Sequence, residues 1–140
     1  MVLIPLWSLQ SVLHSKTMKK YIMILMMVFG NAYAHEMTPT YPKLEPSHVS
    51  GVYKATMEMF NKRQDVDWYE IGVFDSEWNS IPFVSSYKIF NLDYLRHVKF
   101  DIYIRESDKT RATYVCSKSK LRKEDTSKTA VSSRICSKFK

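Results

Sequence analysis

Histidine and cysteine are the residues of this 140-residue chain whose placement could support chemistry. Residues 18–34 read MKKYIMILMMVFGNAYA, and a cut after Ala34 would make His35 the new N-terminus. An N-terminal histidine offers its α-amine and a ring nitrogen together, and such nitrogen donors suit Cu(II). His97 and His48 could complete the site. The sequence thus offers a copper hypothesis on three histidines, beside the alternative that they are ordinary histidines and the protein holds no cofactor.

Two cysteines, Cys116 and Cys136, are the only thiols of the chain. Two thiols are too few for a four-thiolate metal site. Outside the cytoplasm they should form one disulfide, whereas in a reducing compartment they would stay as two buried thiols. The bridge would close a loop of about twenty residues and contribute about 3 kcal/mol to stability.

Other catalytic constellations are weak. A group of carboxylates brackets Trp68, and two carboxylates in a cleft could perform glycoside hydrolysis, but a solvated turn explains them better. With 3 glycines, none of them clustered, a glycine-rich phosphate loop is excluded, and no Gly-x-Ser-x-Gly nucleophile elbow appears. We therefore predict that the protein is not an enzyme, with copper redox chemistry at His35 as the alternative. Trp78, in a polar turn, either anchors a partner or folds back over the sandwich edge. The carboxylates are Asp65, Asp67, Glu70, Asp75 and Glu77.

The N-terminal region has the three parts of a secretory signal peptide. Lys19 and Lys20 precede an apolar run from Tyr21 to Phe29, which is too short to span a bilayer. We predict a cleaved signal over 18–34, a periplasmic or secreted protein, and no membrane span after cleavage. Residues 1–17 are interpreted as a non-native upstream extension, or alternatively as part of an elongated signal. Residues 35–140 form the predicted domain.

Charge is segregated along the predicted domain. Residues 35–108 hold 8 basic and 12 acidic side chains, whereas residues 109–140 hold 10 basic and 2 acidic ones. The densest basic run is 118–123, and no aromatic residue interleaves with it to stack a base. We therefore expect no nucleic acid partner. The run is either a solvated loop or a surface that steers acidic partners.

Alternating hydrophobicity predicts strands. The segment 97–105 alternates most clearly, since its even-numbered positions from Val98 to Ile104 are apolar and its odd-numbered ones polar. Residues 68–74 are apolar on both faces, which predicts a central strand. Three prolines make the first segment an extended edge. The remaining predicted strands are 53–60, 81–84, 87–92, 111–117 and 130–138, joined by polar turns at 61–65, 75–79 and 106–110. About seven short strands predict an all-β antiparallel β-sandwich.

Three positions resemble immunoglobulin-like domains. Ala112, Tyr114 and Cys116 resemble the sixth-strand motif, in which a tyrosine two residues before a cysteine forms a corner with upstream backbone. Trp68 stands on the third strand, where such domains bury a tryptophan. The second strand, 53–60, has no cysteine, so the resemblance does not include the disulfide between the two sheets.

The chain also resembles, as a pattern, the N-terminal immunoglobulin-like domain of periplasmic pilus-assembly chaperones. The resemblance includes a Pro-rich first strand over 38–44, a second strand ending at 59–61, and a final hairpin with a long loop and a cysteine on each side. It implies that Lys43 and Lys138 anchor the terminal carboxylate of a client. It also implies that Val131 and Ile135, with Ser133 between them, line the client-binding strand. Those chaperones carry a second domain, for which we expect this chain to be too short.

These observations lead to one main hypothesis and two alternatives. The main hypothesis is an exported, non-catalytic protein-binding module, chaperone-like or an adaptor. It would bind another exported or surface protein by edge-strand pairing along 130–138 or the Pro-rich first strand. The first alternative is a periplasmic Cu(II)-binding protein that uses His35. The second is a structural component of an envelope or particle.

Overall fold

A computed structural model describes residues 34–124 and 127–140. The predicted extension over 1–17 and the predicted signal peptide over 18–34, apart from its last residue, lie outside the described residues. The described helices include none that is long and apolar enough to cross a membrane.

The described chain folds into two antiparallel sheets that pack face to face. In the first sheet the order is β1-β3-β7-β5, with β2 also paired to β3; in the second it is β6-β4-β8-β9. The strands are β1 (Glu36–Thr38), β2 (Glu45–Pro46), β3 (Val52–Phe60), β4 (Trp68–Phe74), β5 (Val84–Ser85), β6 (Ile89–Asn91), β7 (His97–Arg105), β8 (Tyr114–Ser119) and β9 (Arg134–Lys138), and a single helical turn, α1 (Glu106–Lys109), follows β7. The predicted all-β antiparallel sandwich is confirmed.

The period-two pattern of β7 explains how the first sheet faces the core. Phe100, Ile102 and Ile104 are buried, and the residues between them are on the wet face. The partner strand β3 buries Met57 and Met59 in the same way and pairs with β7 along its whole length. Alternation on both strands therefore sets one register, because a slip by one residue would turn each apolar set to solvent.

The central strand of the second sheet is β4, as predicted, but its buried aromatic residue is Tyr69. Tyr69 is fully buried, whereas Trp68 is half-buried on the outer face. Successive side chains of a strand point to opposite faces, so Tyr69 lies on the same face as the buried Ile71 and Val73, and Trp68 lies on the other face. The expected burial of Trp68 is therefore wrong.

Tyr114 also differs from expectation. It lies on the outer face of β8 and its ring stacks on Trp78, so it forms no tyrosine corner with upstream backbone among the described contacts. Val115, Ser117 and Ser119, which alternate with it, are the β8 residues that face the core.

Several predicted strands are longer than the observed ones. The interpretation of 130–138 as one strand is wrong for its first four residues, because β9 begins at Arg134. The first segment changes partner: β1 pairs with β3, and beyond it the Thr40 and Pro42 carbonyls accept the N–H groups of Lys138 and Lys140. Strands predicted at 81–84, 87–92 and 111–117 are observed as β5, β6 and β8 with shifted ends.

The predicted disulfide is present between Cys116 and Cys136. It joins β8 and β9 directly across the ladder, at a Cα–Cα distance of 4.0 Å. It therefore lies within the second sheet and closes the loop that joins β8 to β9.

Removing this disulfide should lower stability chiefly by freeing the unfolded chain. We expect the double variant Cys116→Ser, Cys136→Ser to lose about 3 kcal/mol of unfolding free energy in urea denaturation. The reduced wild-type protein is the matched control and should show the same loss. An unchanged urea midpoint in both would contradict the expectation.

Candidate functional site

β9 is the outermost strand of the second sheet, so half of its backbone groups point away from the sheet. The short Cα–Cα distance of the Cys116 and Cys136 pair, 4.0 Å, is typical of a non-hydrogen-bonded pair in an antiparallel ladder. Ile135 and Ser137 therefore bond to β8, while Arg134 and Cys136 direct their N–H and C=O groups outward. Lys138, two residues after Cys136, follows the same alternation, because its N–H also points outward and bonds to the Thr40 carbonyl.

The N-terminal segment covers one end of this edge. Thr40 and Pro42 bond to Lys138 and Lys140, but β1 turns away to pair with β3. In the part of the chain that the structure describes, no strand pairs with the outward groups of Arg134 and Cys136. Such an edge can accept one more strand.

The segment before β9 leads up to this open edge. Val131 is 65% exposed, whereas Ile135 is partly buried and packs against the core. The two residues expected to line the binding strand therefore differ in exposure and in role. Val131 is free to contact a partner, and Ile135 supports the sandwich.

Lys43 and Lys138, the expected anchor for a carboxylate, come from neighbouring segments. Lys138 is exposed on β9, and Lys43 is exposed one residue beyond the bond between Pro42 and Lys140. Both lie at the covered end of the edge, away from Val131 along the chain.

A buried guanidinium holds the segment in front of β9. Arg63 is 5% exposed, and it makes two bonds to Asp65, at 2.9 and 2.6 Å. It also donates to the Val131 carbonyl at 3.0 Å and to the Ser133 hydroxyl at 3.1 Å. The bond from Arg63 holds the pKa of Asp65 below its usual value, and the same bond raises the pKa of Arg63. The ion pair thus fixes the backbone that leads into the open edge.

His35 lies next to this cluster. It is 2% exposed; its Nε2 is 2.7 Å from the Ser117 hydroxyl, and its Nδ1 is 3.2 Å from the Ser133 hydroxyl. Its ring packs at 4.8 Å from that of Tyr69. Burial lowers the pKa of His35 to about 4, so the ring is neutral at pH 7.

A serine bonded to a histidine is also the arrangement of a nucleophile and its base, but here it is closed to substrates. Ser117 is fully buried, and the ring of His35 is enclosed with it. A ring with a pKa of about 4 is also a weak base at neutral pH. The pair is therefore a structural element of the sandwich.

Asn61 completes the polar cluster from the other side. Its side-chain oxygen accepts a bond from the Tyr69 hydroxyl at 2.6 Å and one from the Arg63 N–H at 2.8 Å. Its amide donates to the Val66 and Leu92 carbonyls. Burial raises the pKa of the Tyr69 hydroxyl above its usual value, so Tyr69 stays a donor.

Sequence reasoning did not select Arg63, Asn61 or Tyr69. The available signal was the polar turn 61–65 directly after β3, in which a basic residue, Arg63, lies two residues before an acidic one, Asp65. The partner residues, Val131 and Ser133, lie about 70 residues further on, so only the fold brings them together.

The three histidines of the copper hypothesis occupy different environments. His35 is buried, whereas His48 is exposed after β2 and His97 is exposed at the start of β7. No group of three or more His, Cys, Asp or Glu side chains that could hold a metal occurs within 34–124 and 127–140.

A cleft of about 380 Å³ borders His97, and its two carboxylates already have basic partners. Glu36 pairs with Lys62, and Glu58 pairs with Lys99. Copper binding stays a prediction. The hydrogen bonds on both ring nitrogens of His35 count against it, because a metal would have to displace one of them.

Solved structures show what this fold is similar to. The chaperone DraB of E. coli matches with a TM-score of 0.57 and 15% identity, over 76% of this chain and 53% of that one. The periplasmic chaperone SfaE matches with a TM-score of 0.49 and 13% identity, over 76% and 56%. A FixG-related protein from Vibrio parahaemolyticus matches with a TM-score of 0.45 and 16% identity, over 77% and 96%.

The likeness to DraB is a likeness of fold. It supports an immunoglobulin-like β-sandwich similar to that of this chaperone, so the resemblance inferred from the sequence is confirmed at the level of the fold. The chain spans about half the length of DraB. No protein-family model matches the chain, and no curated protein sequence matches it significantly.

The buried His35 should make stability depend on pH. Its pKa in the folded protein, about 4, lies below the unfolded value of about 6.5, so only the unfolded chain gains a proton between these values. Stability should thus be constant above pH 6.5 and fall by about 3 kcal/mol between pH 6.5 and pH 4. We expect urea denaturation of His35→Gln to lack this part of the pH dependence. A variant with the wild-type slope would contradict the assignment.

The Arg63 cluster should hold the segment before β9. In Arg63→Met, we expect a loss of about 2 kcal/mol of unfolding free energy, because charge-assisted bonds are removed. Amide exchange at Ser133 should become at least about tenfold faster, while Ile102 of β7 changes little. Lys62→Met, which removes an exposed charge one residue away, is the control. Equal effects of the two substitutions would contradict the role of Arg63.

Proposed function

We propose that this chain is an exported, non-catalytic domain that binds another exported or surface protein by adding a strand to the outer edge of β9. The observation that carries the proposal is the unpaired backbone of Arg134 and Cys136 next to the exposed Val131. Main-chain bonds along the edge supply affinity, and a side-chain contact at Val131 supplies selectivity.

The bound strand pairs with the outward groups of Arg134 and Cys136, before the part of β9 that the first segment covers. β1 lies beside β9 but pairs with β3 in the other sheet, so its backbone bonds leave these two residues without a partner strand. Lys43 and Lys138 then stand at the end where the first segment closes on β9. A client whose C-terminal carboxylate reaches that end gains two ammonium groups.

Export is part of the proposal. A disulfide persists in oxidising compartments, and the signal-peptide pattern over 18–34 provides the route out of the cytoplasm. DraB, whose fold this domain resembles, is a chaperone. Because chaperones bind proteins, this likeness supports a protein as the ligand. The basic residues of 109–140 steer acidic clients towards the edge.

Photo-crosslinking tests this proposal at the residue level. A photoreactive phenylalanine in place of Val131 should capture a discrete partner from the envelope fraction of the producing cell. The same residue in place of Val84, which is 67% exposed on β5 of the other sheet, is the matched control and should not. Val131→Asp should weaken binding of the captured partner at least about tenfold, because a charge replaces an apolar contact.

Two outcomes would contradict edge pairing. One is equal capture at the two positions. The other is a partner whose binding is the same for wild type and Val131→Asp. Ile135→Asp is unsuitable as a test, because Ile135 packs against the core and its substitution would unfold the domain.

A further inference from the structure

A strained tryptophan stands on the opposite side of the second sheet from the core. Trp78 has a φ of 67° and is 51% exposed. A bulky residue in the left-handed region is strained and persists only where its surroundings fix it. Here the Asp75 carboxylate accepts bonds from the N–H groups of Glu77 and Asn79, both at 2.9 Å. The turn therefore holds a large apolar side chain towards solvent at a cost in stability.

Trp78 is part of a cluster of aromatic rings. It stacks on Tyr114 with 4.8 Å between ring centroids and 7° between planes, and Phe74 lies 6.0 Å away. The guanidinium of Arg134 lies 5.6 Å from the Phe74 ring. We name Phe74, Trp78, Tyr114, Lys118 and Arg134 the aromatic–basic face.

The sheet register places a groove beside these rings. Glu70 on β4, Lys118 on β8 and Arg134 on β9 are neighbours across the sheet. Gly72 follows Glu70 by two residues on β4 and lies on the same face. A Cβ at Gly72 would lie 2.8 Å from the Phe74 ring, so a larger residue there would displace that ring from its place over the strand. The groove has a volume of about 360 Å³.

The groove is cationic. Three cations line it, Lys88, Lys118 and Arg134, against the single carboxylate of Glu70. That carboxylate already pairs with Lys120 at 3.0 Å. A ligand that complements the groove therefore carries negative charge together with an apolar or aromatic group.

We propose that the aromatic–basic face binds a short acidic segment of another protein, with its carboxylates on Lys118 and Arg134 and an apolar side chain against Trp78. Trp, Tyr and Arg are the residue types that dominate binding energy at protein interfaces. Arginine also pairs with carboxylates in a two-pronged geometry. The groove is too short, and carries too few cations, to follow a nucleic acid backbone. This face shares Arg134 with the open edge of β9, but it uses the side chain of that residue and not its backbone, so the proposal does not depend on edge pairing.

Peptide selection tests the proposal with the full chain. A random library of 12-residue peptides displayed on phage is selected on the wild-type protein. The expected result is a consensus with at least two acidic residues near an aromatic or large apolar residue. The best synthetic peptide should bind less tightly as salt rises.

Substitutions then place the peptide on the face. Trp78→Gly keeps the positive φ without strain, so it should fold and yet bind the peptide at least about tenfold more weakly. Lys118→Glu and Arg134→Glu should show the same loss. Lys99→Glu on the other sheet is the matched control for charge, and Val131→Asp is the control for the edge; both should bind as wild type does. Urea midpoints check that each variant is folded.

Three results would overturn the proposal. The first is a selection without an acidic consensus. The second is peptide binding that survives Trp78→Gly and Arg134→Glu in folded protein. The third is binding of a dT12 oligonucleotide or dextran sulfate to these residues while no acidic peptide is recovered, which would assign the face to another polyanion.

Discussion

The buried guanidinium of Arg63, paired with Asp65, fixes the segment that leads into the last strand. A guanidinium with 5% exposure has to satisfy its N–H groups inside the protein, and it does so on Asp65, the Val131 carbonyl and the Ser133 hydroxyl. These bonds hold the segment from Val131 to Ser133, which lies between the polar loop and β9. The open edge of β9 therefore starts at a defined place, with Val131 presented beside it.

His35 links this cluster to the rest of the sandwich. The ring stays neutral in its buried site and bonds to one serine on β8 and one serine before β9. The first described residues are thereby attached to the last strand, while β1 continues onto β3. A chain that changes sheets in this way leaves a section of β9 without a partner. The edge of the second sheet is therefore available for contacts. The aromatic–basic face, which lies on the side of this sheet away from the core, is also exposed.

Local patterns predicted the sandwich and much of its core. Strict alternation placed His97–Arg105 correctly, and a two-sided apolar run identified β4 as central. Burial of Tyr69 in place of Trp68 was missed, because two adjacent aromatics satisfy either register until the neighbouring strands are known. The start of β9 was missed because the ladder continues before Arg134 only through the bond from the Ser119 N–H to the Ser133 carbonyl. The other bonds from Ser132 and Ser133 to Ser119 involve side-chain hydroxyls.

The candidate sites were less predictable than the fold. Arg63 bonds to Val131 and Ser133, which are about 70 residues away in the sequence. A single sequence does not show that such distant residues are in contact. No aromatic residue interleaves with the basic run 118–123 along the chain. In the folded protein, Arg122 of that run lies 5.3 Å from the Trp68 ring, and Arg134 of β9 lies 5.6 Å from the Phe74 ring, because segments far apart in sequence share one face. Separation along the chain is therefore a poor guide to the composition of a sheet surface.

Amide hydrogen exchange along β9 in the free protein tests the central claim most directly. Ile135 and Ser137 bond to β8 and Lys138 bonds to Thr40, so their N–H groups should exchange slowly. The N–H groups of Arg134 and Cys136 should exchange rapidly, because they point outward from an uncovered edge. Such alternation would support an edge ready to receive a strand. Equal protection of all five amides would contradict the account, because it would mean that the edge is already paired.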